Sequence, residues 1–198
     1  MVEKQKQLIR EESLLIKEFV ETGNDEAFKK LMSMYEPRIL RFGARMCGHH
    51  EDAQDVVQDT LMSAFRYMGS FRGDGSFQSW LFKIASSACL KKRRKKKHEP
   101  KNELSLDQIS EDRADKEPVS YLDGLDAPLE QVEAKEMLRR LQAALLELPP
   151  IYRIVITLRD FEGMNNEAVA EILDISVSAT KVRLHRARKM LKAKLGEI

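Results

Sequence analysis

Apolar residues recur at intervals of three and four along most of this chain, and no segment alternates long enough to read as a strand. Leu14, Leu15, Phe19 and Val20 mark the apolar stripe of a first helix that ends near Thr22-Gly23. A second helix opens after Asn24, with Asp25 and Glu26 in the first turn, where negative charge suits the helix dipole. Its stripe runs through Phe28, Leu31, Met32 and Tyr35, resumes at Ile39, Leu40, Phe42 and Met46, and stops at Cys47-Gly48. Pro37 is expected to bend or briefly interrupt it, because proline lacks a backbone donor and crowds the preceding turn. A third helix, Glu51–Met68, buries Val57, Leu61, Ala64, Phe65 and Met68 and turns Asp52, Asp55, Asp59, Ser63 and Arg66 the other way. After the loop GSFRGDG, Ser76 is placed to cap a fourth helix. That helix buries Phe77, Trp80, Leu81, Ile84 and Ala88 and runs out into the basic cluster KKRRKKK, Lys91–Lys97.

The pattern lapses between His98 and Ala127, where acids, serines and prolines leave too little apolar surface to offset the entropy of ordering. Beyond it, Pro128 suits the first turn of a helix ending near Leu148. Pro149-Pro150 breaks that helix and opens another, IYRIVITLRDF, closed at Glu162-Gly163. Two further helices, Asn166–Leu173 and Val177–Leu195, are separated only by Asp174-Ile175-Ser176. The expected fold class is therefore all-α. Two small helical domains, 8–97 and 128–196, are joined by a flexible acidic linker, 98–127, and the second contains a helix-turn-helix.

Charge changes the picture more than size does. The 198 residues carry a net charge of only +2, yet the acidic linker lies between two strongly basic helices, so the local fields are far larger than the sum implies. Two cationic helices on one chain point to a polyanion gripped at two places, most simply a nucleic acid. Cys47 and Cys89 are far apart and belong to no ligand-spaced cluster, and His49, His50, His98 and His185 have no metal-ligand spacing. No bound metal and no cofactor are expected. The N-terminal segment lacks an apolar signal core and no apolar run is long enough to span a bilayer, so membrane insertion is not expected and a cytoplasmic protein is. Paired carboxylates, a nucleophile constellation and a phosphate loop are all missing at usable spacing, which argues against an enzyme; the GDG in FRGDGSF is too short to cradle a nucleotide.

On the last helix Val177, Thr180, Leu184, Ala187, Leu191 and Leu195 form the core stripe. Ser178, Lys181, Val182, His185, Arg186 and Lys189 are left facing outward. A face of this kind can enter a major groove, with its N-terminal residues near base edges and later cations near phosphates.

Two blocks of sequence carry a resemblance. The first comprises AFKKLMSMYEPRILRFGARMCG and EDAQDVVQDTLMSAFRYMGSFRGDGSFQSWLFKIASSACLKKRR; the second is LPPIYRIVITLRDFEGMNNEAVAEILDISVSATKVRLHRARKML. Together they resemble the extracytoplasmic-function (group 4) sigma factors, compact members of the sigma-70 family of bacterial transcription initiation factors. The resemblance implies a first domain (region 2) that clamps the beta-prime coiled coil of core RNA polymerase and opens the promoter −10 element. It implies a second domain (region 4) that docks on the beta flap and reads the −35 element. A cognate anti-sigma factor is the implied inhibitor, and a stress or envelope signal the implied trigger.

Carried over by motif, polymerase binding falls on Asp55, Gln58, Asp59 and Met62. Base capture at −10 falls on Phe71, Arg72, Gly73 and Asp74, assisted by Ser87, with Lys83, Lys91, Arg93 and Arg94 along phosphates. Reading of −35 promoter DNA falls on Lys181, Val182, His185 and Arg186, while Arg183 and Arg188 touch phosphates or neighbouring acids. Trp80 shares the apolar face of Phe77 and Ile84 and is expected in the core. Three positions depart from the family pattern. Ser87 stands where relatives often carry asparagine, Lys91 where they carry Asp or Asn, and Val182 where serine is common. A free-standing helix-turn-helix regulator would need neither the first block nor its basic helix, and a sigma-like decoy could dispense with Lys181, Arg186 and the GSFRGDG loop.

Overall fold

The computed structural model describes residues 2–71, 73, 75–98 and 130–196, with side chains described for 7, 9–71, 73, 75–92 and 135–196. The described residues form helices and turns only. In the first unit these are α1 (Val2–Thr22), α2 (Asp25–Cys47), α3 (His50–Tyr67), a 3-10 turn (Met68–Ser70) and α4 (Phe77–His98). In the second they are α5 (Glu130–Glu147), α6 (Pro150–Ile156) leading into a π-helical turn (Thr157–Phe161), α7 (Asn166–Leu173) and α8 (Val177–Gly196). The linker expected at 98–127 lies, apart from His98, outside the described residues, as does Pro128.

Local chemistry accounts for most boundaries. Asn24 caps α2 through its side-chain oxygen, which accepts from the Glu26 N–H at 3.0 Å, and Gly48 ends the helix in the left-handed region (φ 85°). Ser76 caps α4 by accepting from the Ser79 N–H at 3.1 Å. Pro37 does not interrupt α2, which runs unbroken from Asp25 to Cys47. Tertiary packing on both sides of that turn outweighs the one hydrogen bond that proline removes.

The first core is α2 laid against α1, α3 and α4, with Leu31, Ile39, Phe42, Leu81 and Phe82 fully buried. Each such side chain contributes roughly 1.5–3 kcal/mol of burial. α2 and α3 approach closely at Gly43, where a Cβ would meet the Ala53 Cα at 3.1 Å. Two expectations for α3 need correction. Phe65 is 49% exposed, its ring covering the edges of Phe19 and Phe28 at 5.7 and 5.2 Å rather than entering the core. Asp52 is buried at 8%, because Lys92 of α4 reaches it at 3.2 Å and satisfies the charge.

In the second unit α8 packs on α6 and α7 through Thr180, Leu184, Ala187 and Leu191, all buried. The π turn was not legible in the hydrophobic pattern. Its wider ring, closed by the Glu162 N–H donating to the Thr157 carbonyl at 3.0 Å, sends Asp160 toward α8 and Glu162 toward α2. The helix-turn-helix is held by Asn165 at the start of α7, which accepts from the Ala168 N–H at 2.8 Å. It turns through Asp174 in the left-handed region (φ 52°). Asp is one of the few residues that tolerate that conformation. The two units touch: α2 meets α5, α6 and the π turn, and α4 meets α7.

Candidate nucleic-acid interface

The outward row of α8 lies where its period placed it. Ser178, Lys181, Val182, His185, Arg186 and Lys189 are all exposed, with Val182 at 47%. Burial of Leu184 and Ala187 on the opposite side fixes this rotation of the helix, so the row follows from the core stripe. Arg183 is half-buried. Of the two roles open to Arg188, the structure shows the neighbouring acid. Its guanidinium forms a fork on Asp160, Nε to Oδ2 at 2.8 Å and Nη2 to Oδ1 at 2.6 Å, which ties the middle of α8 to the π turn. Asp160 was missed from sequence, since its partner lies 28 residues away and only the π turn aims it there.

A second cationic surface runs along α4. Lys83, Ser87 and Lys91 are exposed and line one open groove of about 430 Å³ between α3 and α4. Asp59, Met62, Arg66 and Tyr67 form its other wall. Arg66 was read from sequence only as outward-facing and Tyr67 was not singled out, although an exposed aromatic just before a glycine-bearing loop is a usable signal. The α4 backbone continues through Arg93 and Arg94 to His98, but those two side chains lie outside the described residues.

In the loop after α3, Arg72 and Asp74 are likewise outside the described residues, and Gly73 takes φ 77°. Phe71 rests against Phe77 and Trp80, ring centroids 5.5 Å from each. Trp80 is half-buried at the edge of this cluster, not enclosed as its place in the stripe suggested. A small pocket of about 220 Å³ opens beside these rings, with Ser70, Phe71, Trp80 and Lys83 on one side and Glu171 and Ile172 of α7 on the other.

The third surface belongs to α3. Asp55, Gln58, Asp59 and Met62 are exposed at spacings that place them on one face, and Met62 is 56% accessible. Gln58 and Met62 border an apolar groove with Leu40 and Val57. Asp55 is in contact with Lys92, which also holds Asp52. Burial works against the Lys92 ammonium, but the Asp55 and Asp52 carboxylates outweigh it and hold its pKa above the ordinary lysine value. Among the described residues no cluster of three or more His, Cys, Asp or Glu could hold a metal, and no helix is long and apolar enough to cross a membrane.

Comparison with known proteins finds the family descriptions "Sigma-70 region 2" on residues 31–99 and "Sigma-70, region 4" on residues 138–191. The chain is 32% identical over 178 residues to the ECF RNA polymerase sigma-E factor of Haemophilus influenzae, spanning 90% of this chain and 92% of that one. It is 29% identical to the ECF RNA polymerase sigma factor SigW of Bacillus subtilis, over 90% of this chain and 94% of SigW. Among solved structures it is similar to CnrH in complex with the cytosolic domain of CnrY. The TM-score is 0.65 and the identity 26%, covering 94% of this chain and 98% of CnrH.

Proposed function

Because this chain belongs to the extracytoplasmic-function sigma factors of the sigma-70 family, we propose that it directs bacterial core RNA polymerase to specific promoters through three separate surfaces. The exposed row Lys181, Val182, His185 and Arg186 on α8 reads the −35 element in the major groove. Lysine and arginine there supply base-edge and phosphate contacts, and Val182 supplies an apolar contact suited to a thymine methyl. The α4 groove takes the opened −10 strand. Lys83 and Lys91, with Arg93 and Arg94 farther along the helix, follow its phosphates, Ser87 borders it, and the Phe71–Asp74 loop captures an extruded base, offsetting a few kcal/mol of unstacking. Asp55, Gln58, Asp59 and Met62 on α3 bind the polymerase coiled coil, with the second unit docking on the beta flap.

The chain itself does no covalent chemistry. Its work is positioning and electrostatics, and the polymerase makes the bonds. It acts in the cytoplasm, where the polymerase is. Two domains, 8–97 and 128–196, joined by a tether at 98–127, suit elements that lie apart on promoter DNA. CnrH, at 26% identity, has been solved with the cytosolic domain of a second protein. A protein inhibitor that masks these surfaces until a stress or envelope signal arrives fits the same picture.

The observation that carries the reading is the presence, on one chain, of two separate cationic faces, on α4 and α8, and an exposed polar-apolar row on α3. Run-off transcription with this protein and core polymerase on a randomised promoter library tests it. Selection of paired −35 and −10 sequences is expected. Sequence-specific duplex binding by the chain alone, with no effect of core enzyme, would instead mark a free-standing helix-turn-helix regulator.

A further inference from the structure

We infer that the two helical units are each other's ligand. In the free chain the second unit docks on the first through a latch at Glu162 and lays α7 beside Phe71, at the start of the base-capture loop, so this surface is masked until the latch releases. The masking clause rests on the proposed role of that loop; the latch itself does not.

The centre of the interface is a carboxylate that, among the described residues, finds its partners in the other unit. The Glu162 side chain is only 4% exposed, and the groups that meet it come from the first unit. Arg38 donates from Nε to one carboxylate oxygen at 3.3 Å, and Arg45 donates to the other at 3.4 Å. The Glu162 backbone carbonyl accepts from Arg38 and from the Gln78 side chain, both at 3.3 Å. Burying a carboxylate is costly unless paired, so an arrangement this complete marks one specific docked register.

Further contacts run the same way. The Arg45 guanidinium stacks on Phe161 of the π turn, 4.5 Å from the ring centre. Buried Arg153 donates to the Met46 carbonyl at 2.7 Å, and Gln142 donates to the Ala44 carbonyl at 2.9 Å. Those acceptors sit at the C-terminal end of α2, where partial negative charge gathers. Gly48 lets Leu146 approach: a Cβ there would meet its methyl carbons at 3.0 and 3.1 Å.

Docking in this register brings Glu171 and Ile172 onto the pocket edged by Phe71, Trp80 and Lys83. A carboxylate then shares the pocket with a lysine assigned to phosphate, and an isoleucine lies beside the rings assigned to base capture. The covering helix supplies an anion and an apolar group where a nucleotide would supply the same two. Release is feasible because the latch fixes register more than it adds strength. Burial lifts the Glu162 pKa above the ordinary carboxylate value although Arg38 and Arg45 pull it down, so much of the Coulomb gain is cancelled.

Trp80 is the chain's single tryptophan and borders the covered pocket, so its emission reports docking in the free, full-length protein. Glu162→Lys places a third cation against Arg38 and Arg45. It should lower the docked-to-open ratio on the order of tenfold or more, red-shifting Trp80 and raising its quenching by acrylamide at unchanged far-UV helicity. Combining it with Arg38→Glu and Arg45→Glu reverses both ion pairs of the latch and should restore wild-type emission. Glu162→Ala gives a smaller shift in the same direction and serves if the lysine variant loses helix. Unchanged quenching in both single variants, or failure of the triple variant to restore emission, overturns the latch. Transcription with core polymerase is scored separately. If Glu162→Lys opens the chain while neither protein supports initiation, the latch stands and the promoter reading falls; initiation with an unmoved Trp80 gives the converse.

Discussion

Arg153 clamps the C-terminal end of α2 to that of α5, and replacing it with methionine tests this clamp most directly. The residue is 3% exposed, and its guanidinium donates to the carbonyls of Met46 at 2.7 Å and Leu148 at 2.9 Å, and to that of Leu146. Methionine matches its reach but donates nothing. Each carbonyl left without its partner costs about 1–3 kcal/mol, and the guanidinium's own desolvation penalty is recovered at the same time. Three acceptors at the low end of that range give a net loss of about 3 kcal/mol. Lysine keeps the charge but not the fork, so Arg153→Lys should lose about half as much. Urea unfolding followed by far-UV circular dichroism measures both, provided the m-value is unchanged. One of the three acceptors belongs to α2, so roughly a third of the loss should also appear as weaker docking in Trp80 quenching. A methionine variant within about 0.5 kcal/mol of wild type would mean that relaxation or water serves these carbonyls, and the clamp would have to be abandoned.

Other outcomes follow from the same surfaces. Lys189, on the same exposed face of α8, is expected to meet a phosphate, so Lys189→Ala in holoenzyme on duplex −35 DNA should reduce the salt slope of binding by about 0.9 while leaving sequence preference intact; an unchanged slope would show that Lys189 meets no phosphate. Met62→Ala should weaken core polymerase binding about tenfold without moving the thermal midpoint, since the side chain is 56% exposed; equal affinity would exclude it from the polymerase surface. Docking should also respond to pH with a definite sign. Glu162 has its pKa raised in the docked form, chiefly by burial against the pull of Arg38, Arg45 and Arg41, and returns to an ordinary carboxylate when exposed. Its contribution to docking is therefore full below the ordinary carboxylate pKa and declines as pH rises through the raised one. Trp80 quenching should increase across that window in the wild type and lose this component in Glu162→Ala; a wild-type trend of opposite sign would refute the assignment.

The helices were legible because each buries a stripe of its own residues, and a stripe leaves a period in the sequence. The same logic made the outward row of α8 readable. Thr180, Leu184 and Ala187 had to face inward, so Lys181, Val182, His185 and Arg186 had to face out, and the structure places all of them so. Caps at Asn24 and Ser76 and the turn at Asp174 are equally local, each settled within a few residues. Phe65 and Asp52 misled because their environments are set from elsewhere. Phe65 covers a ring edge on α1 and α2, and Asp52 is drawn inward by a lysine forty residues on in α4.

Sequence alone therefore determined the helical class, the division into two units, the rotation of α8 and the likeness to sigma factors. Tertiary structure decided the π turn that separates Asp160 from Glu162, the capture of Arg188 by Asp160, and the seating of Glu162 between Arg38 and Arg45. These last partners lie 124 and 117 residues from it. A contact of that span is set by how two packed bodies meet, and no spacing along the chain encodes it.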